Sequence, residues 1–128
     1  MTTSLTSETP IVYVVDDDAS VRESLSSLMR SAGMAVEVFA SPFDFLAKEK
    51  LGDLSCLVLD VRMPSLDGLA LQQRMTTLGV EIPIIFITGH GDVPVAVRAM
   101  KAGAIDFLNK PFADTVLLNA IAVALLRV

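Results

Sequence analysis

Asp60 ends the apolar run Cys56-Leu57-Val58-Leu59, and Pro64 turns the chain four residues later. Three more apolar runs end in groups of chemical interest. Pro10–Val15 leads into Asp16-Asp17-Asp18, Ile82–Ile87 into Thr88, and Ile105–Leu108 into Asn109-Lys110. Short apolar runs bounded by turn residues read as strands buried on both faces. In open parallel sheets, chemistry gathers in the crevice beyond the carboxyl ends of the strands. Three carboxylates brought there repel one another and lose hydration unless a cation joins them. Magnesium suits such an all-oxygen set, and no His or Cys cluster competes for a softer metal. With that cation present, Asp60 is placed to attack a phosphorus centre and hold the phosphoryl group as an acyl phosphate. Lys110 would help neutralise the equatorial oxygens, and the Thr88 hydroxyl would hydrogen-bond one of them.

The elements that must carry these residues alternate along the chain. After the first strand, Val21, Leu25, Leu28, Met29 and Ala32 recur at helical spacing from Asp18 to Ala32, and Gly33 supplies a left-handed stop. Ala35–Phe39 alternates as a second strand. Ser41-Pro42 opens a short helix over Phe43–Lys48, which Gly52-Asp53 breaks. Pro64–Gly68 reads as a loop, and Leu69–Leu78 as a third helix with Leu71, Met75 and Leu78 inward. Thr88-Gly89-His90-Gly91 makes a small, flexible loop, Asp92 caps a fourth helix over Val93–Ala102, and Gly103 closes it. Ala113–Val128 is the fifth helix. Five strands alternating with five helices call for an α/β fold: a doubly wound parallel sheet, order 2-1-3-4-5, of the flavodoxin-like type. That order sets Asp16 and Asp17 opposite Asp60 at the switch point, with Thr88 and Lys110 on the next two strands.

Composition narrows the function classes. A chain of 128 residues suffices for one domain around one core. Hydrophobic residues make up 52% of it, yet no run approaches the roughly 20 apolar residues of a bilayer-spanning helix. Residues 1–9 are polar, lack Lys and Arg and have no apolar centre, so they read as a frayed tail of a cytoplasmic protein, with the domain over 10–128. Cys56, the sole cysteine, falls in a predicted strand and is expected to be a packed, inert thiol. A net charge of -5 opposes nonspecific attraction to nucleic acid, so this domain is not expected to bind DNA by itself.

Taken together, the acidic pair after the first strand, Asp60-Val61-Arg62-Met63-Pro64-Ser65-Leu66-Asp67-Gly68, Ile87-Thr88-Gly89-His90-Gly91-Asp92 and Lys110-Pro111-Phe112 closely resemble a receiver domain of a two-component response regulator. The match runs from about Ile11 to Leu126. The resemblance implies that Asp60 accepts phosphate from a sensor histidine kinase. It further implies that Asp17, Asp60 and the Arg62 backbone carbonyl bind Mg2+, and that Asp16 acts through a metal-bound water. Lys110 would pair with the phosphate, its bond to Pro111 in the cis form that aims the lysine. Thr88 would move toward the phosphate and vacate space for Phe107, a position where many relatives carry Tyr. Arg62 and His90 stand where the family tunes phosphate lifetime, and neither the direction of tuning nor a simpler role for His90 as a solvated loop residue is settled by its type.

The likeness is greatest to regulators of the nitrogen-fixation type, in which phosphorylation promotes dimerisation through the fourth helix and fifth strand. The fourth helix fits, because Arg98 and Lys101 are its only charges and its apolar surface exceeds one stripe. Part of that surface is expected to be interior. The fifth helix reaches the last residue without a stop signal, consistent with a receiver cut from a helix-turn-helix DNA-binding output domain of the LuxR type; a stand-alone receiver is the alternative. Simpler roles compete at single positions: Asp18 reads better as a helix cap than a ligand, Thr88 alone as a locally satisfied hydroxyl, and Phe107 alone as a core aromatic. From another class, a magnesium-dependent phosphatase of the haloacid dehalogenase type also uses an aspartyl nucleophile, a hydroxyl and a lysine. It needs further acids after the lysine, where only Asp114 follows. A nucleotide or flavin module is disfavoured, since no Gly-rich loop follows the first strand.

Overall fold

The structure is a computed structural model and describes residues 9–89 and 93–126. Its strands are β1 (Ile11–Val15), β2 (Ala35–Phe39), β3 (Ser55–Asp60), β4 (Ile84–Thr88) and β5 (Asp106–Asn109). They form one all-parallel sheet in the order β2-β1-β3-β4-β5. The three central strands are apolar on both sides because helices cover both faces. Helices α1 (Ala19–Ser31) and α5 (Asp114–Leu126) pack Leu25, Met29, Leu117 and Ile121 against Val12, Val14, Val58, Ile85 and Ile87. On the opposite face, α2 (Pro42–Leu46), α3 (Gly68–Thr77) and α4 (Val93–Lys101) bring Phe45, Leu71, Met75 and Ala99 against Tyr13, Leu57, Leu59 and Phe86. Each fully buried Leu, Ile or Phe on these strands contributes about 2 kcal/mol. The carboxyl ends of β1, β3 and β4 are therefore anchored by the core on both faces.

Local signals set the helix starts. The Asp18 side chain accepts from Ser20 N at 2.9 Å and caps α1, so its role as a cap is met. Ser41 caps α2, with Pro42 in the first turn. Asp67 accepts from Ala70 N at 2.8 Å and caps α3. Gly33, Gly79 and Gly103 have positive φ after α1, α3 and α4, where side chains are disfavoured. Cys56 is buried and unpaired, and burial pushes its thiol up to about 12, so it is a packed, inert residue.

Three expectations need correction. Helix α2 ends at Leu46, before Lys48; Gly52 serves instead as a close-approach residue, its N–H donating to the buried Tyr13 hydroxyl at 2.8 Å. Leu78 is 63% exposed: α3 stops one residue earlier, and the chain turning through Gly79 carries Leu78 off the packed face. Ala32, the cap residue of α1, is likewise exposed. Helix α4 is interior on one side only, as expected of it. Only Ala99 is buried, while Val93, Val97 and Met100 on its open side are exposed, because a helix beside the edge strand β5 has a neighbour on one side only. His90, Gly91 and the expected cap Asp92 lie outside the described residues, as do the tail through residue 8 and the last two residues of the fifth helix.

Candidate functional site

Strand register delivers the site. Val15 pairs with Leu59, so Asp16 and Asp60 occupy neighbouring positions at the central strand ends. Val61 N donates to Ile87 O at 3.1 Å, which places Thr88 one step beyond on β4. Thr88 pairs with Asn109, and Lys110 N donates to Thr88 O at 2.7 Å. Four chain segments thus deliver Asp16 and Asp17, Asp60, Thr88 and Lys110 to one edge, as expected for the switch point of this strand order.

Carboxylate oxygens of Asp16, Asp17 and Asp60 lie within 4.8 Å of one another. Asp16 is fully buried and Asp60 is 6% exposed, whereas Asp17 faces solvent. Asp16 makes most of the fixed contacts. Its Oδ2 accepts from Lys110 Nζ at 3.0 Å, its Oδ1 accepts from Asp18 N at 2.9 Å, and its carbonyl oxygen accepts from Arg22 Nη1 at 2.8 Å. Asp60 Oδ1 accepts a long contact from Arg62 N, at 3.4 Å. Burial first, then the neighbouring charge of Asp16, push the Asp60 carboxyl up to about 6; Lys110 and the Arg62 N–H pull the other way, and Asp17 adds a smaller upward push. Asp18, held by the Ser20 hydroxyl and N–H, moves down instead.

This imbalance is what a bound cation would relieve. Three carboxylates face one another with one lysine among them, and the donor set is entirely oxygen, which fits a hard divalent ion. An open depression of about 540 Å³ adjoins the cluster between Asp17, Arg62, Pro64 and Arg98 and leaves room for a ligand. A second cavity, of about 430 Å³, lies at the far end of the sheet against Phe45, Leu51 and Pro83, away from the acids.

Thr88 is fully buried, and Phe107 is half-buried with its ring 6.1 Å from that of Phe86. Thr88 and Phe107 lie on the sheet face that α3 and α4 cover, since both share the alternation of Phe86. The Lys110–Pro111 bond is cis, as the resemblance implies. Lys110 pairs with Asp16 here. The Arg62 side chain is exposed. Among the described residues, two contributors escape sequence reasoning. Gly68 starts α3 directly against Asp60: its N–H donates to Val61 O at 2.7 Å, and a Cβ there would lie 2.5 Å from the Asp60 carbonyl oxygen. The pair Asp67-Gly68 just ahead of the helical periodicity was the available signal. Arg22 is the other, and nothing in its local pattern marks it.

A 2-1-3-4-5 parallel sheet with an acidic cluster and a lysine at its switch point defines a doubly wound domain with a cation-ready cleft. A model of the response regulator receiver domain matches residues 12–122. The response regulator protein TodT of Pseudomonas putida is 53% identical over 115 residues, covering 90% of this chain and 51% of TodT. The transcriptional regulatory protein FixJ of Bradyrhizobium diazoefficiens is 52% identical over 103 residues, covering 80% of this chain and 50% of FixJ. The crystal structure of FixJ-N superposes with a TM-score of 0.87 at 45% identity, covering 94% of this chain and 97% of that one. The chain belongs to the response regulator receiver domain family, with relatives of the nitrogen-fixation type among its matches. Membership makes it a signalling domain of a two-component system, in place of the phosphatase alternative. It spans about half the length of the curated relatives it matches. Among the described residues, no helix is long and apolar enough to cross a membrane.

Proposed function

We propose that Asp60 is the phosphoacceptor of a cytoplasmic response regulator and takes its phosphoryl group from the phosphohistidine of a sensor kinase. The convergence of the buried Asp60 and Asp16 with the exposed Asp17 carries this reading. A carboxylate oxygen of Asp60 attacks phosphorus, the O–P bond forms as the P–N bond breaks, and the electron pair leaves on the imidazole nitrogen. The upward-shifted carboxyl stays mostly ionised at neutral pH, yet is more basic than an exposed aspartate. Asp17, Asp60 and the Arg62 backbone carbonyl would hold Mg2+, with Asp16 acting through water. When bound, magnesium supplies the positive charge that offsets the carboxylates and the phosphoryl oxygens.

Lys110 exchanges its bond to Asp16 for one to the phosphoryl group, and Thr88 donates its hydroxyl to another phosphoryl oxygen. Phe107 turns into the space that Thr88 leaves, driven by packing alone because it has no hydroxyl. The exposed Val93, Val97 and Met100 on α4 support a phosphorylation-dependent dimer through α4 and β5. Arg62 and His90 tune the phosphate's lifetime. Residues 10–128 form the receiver, and the dimer presents a C-terminal helix-turn-helix domain to DNA, which the acidic receiver does not contact. Intact mass after incubation with acetyl phosphate tests the chemistry. One phosphoryl adduct that requires both Mg2+ and Asp60 is expected, and an adduct of equal size on Asp60→Ala would overturn the assignment.

A further inference from the structure

Asp16 is held through its backbone as well as its carboxylate. Its N–H donates to Phe39 O at 3.1 Å, and its carbonyl oxygen accepts from Arg22 Nη1 at 2.8 Å. Arg22 lies in the first turn of α1 and is half-buried. The carbonyl it grips belongs to the peptide joining Asp16 to Asp17. That unit is planar, so fixing its oxygen fixes the plane from which the Asp17 Cα departs. Asp17 has no burial to restrain it, yet its carboxylate is within 4.8 Å of the other two.

We propose that Arg22 is a positioning residue of the acidic cleft: by holding the Asp16 carbonyl, it sets the Asp16–Asp17 peptide so that the Asp17 carboxylate faces Asp60 and divalent-cation affinity is retained. The inference rests on the magnesium-site reading above. Charge and geometry predict opposite signs here, which makes the role separable. A guanidinium beside a cation site repels the cation, so its removal should tighten binding if charge were its whole contribution. Loss of a group that orients a ligand weakens metal binding, typically by tenfold or more.

Calorimetric addition of MgCl2 to the unphosphorylated chain, with Arg22→Met, Arg22→Lys and Asp17→Ala in parallel, decides between them. Arg22→Met is expected to bind Mg2+ roughly tenfold more weakly than wild type. Arg22→Lys, which keeps the charge and one donor but loses the planar fork, is expected to fall between the two. Affinity in Arg22→Met equal to or tighter than wild type would overturn the positioning role while leaving the site itself intact. If Arg22→Met does not fold, Arg22→Lys decides alone: weaker binding supports the role and unchanged binding overturns it. Absence of binding in wild type would remove the site and the inference together.

Discussion

Replacing Asp60 with Asn removes a buried charge that the fold accommodates at a cost, and the cost can be sized. The carboxyl moves from an ordinary 3.8 to about 6, mainly by burial and then by the charge of Asp16. Between those values the native state binds more protons at this site than the unfolded chain does, so stability falls as pH rises through that window. Slightly more than two pKa units at about 1.4 kcal/mol each give a penalty of about 3 kcal/mol, fully developed above pH 6 and absent below about pH 4. Asp60 is 6% exposed but lies beside the solvent-facing Asp17, so solvent screening makes that figure an upper bound. Asn keeps the shape and does not titrate. In urea unfolding followed by far-ultraviolet circular dichroism in EDTA, Asp60→Asn should match wild type near pH 4 and exceed it by up to about 3 kcal/mol at pH 8. That corresponds to roughly 10 °C in Tm for a domain of this size. Saturating Mg2+ should narrow the gap at pH 8 by stabilising wild type. A stability difference that is the same at both ends of the pH range would refute the electrostatic account of the cleft.

Three further outcomes follow from the same geometry. Mg2+ at 100 times its dissociation constant should stabilise wild type by about 2.7 kcal/mol, and Asp17→Ala should lose most of that response in a thermal melt. Gly68→Ala should cost about 2 to 3 kcal/mol in denaturant unfolding, because the added Cβ meets backbone atoms of Asp60 and Val61 that cannot swing aside. Tyr13→Phe should cost about 1 kcal/mol, since the Gly52 N–H loses its acceptor; no loss would show that water replaces the hydroxyl.

Apolar runs made the sheet legible, because strands covered on both faces must be apolar throughout, and the alternation of runs with helical periods set the topology. Asp16, Asp17, Asp60, Thr88 and Lys110 were legible for the same reason: each lies within two residues of the end of such a run, so register brings them to one edge. What escaped depends on tertiary surroundings. Leu78 fits the helical period yet lies one residue past the helix end, where the chain turns it into solvent. The apolar excess of α4 over one stripe was legible, but which of its residues face outward depends on its place beside an edge strand. Arg22 reaches a carbonyl six residues back, and Gly68 meets atoms eight residues back across a loop; neither contact leaves a periodic trace. The present partner of Lys110 is Asp16, although Asp60 is buried as well, and residue types do not show which acid it meets.

The most direct measurement of the central claim is the position of the phosphoryl group itself. The chain is treated with acetyl phosphate and Mg2+, reduced with borohydride, which converts an aspartyl phosphate to homoserine, and then mapped by peptide mass spectrometry. Homoserine at position 60 alone, absent when Mg2+ is omitted, is the predicted result. Homoserine at Asp16 or Asp17, or an unmodified Asp60 beside consumed donor, would contradict it.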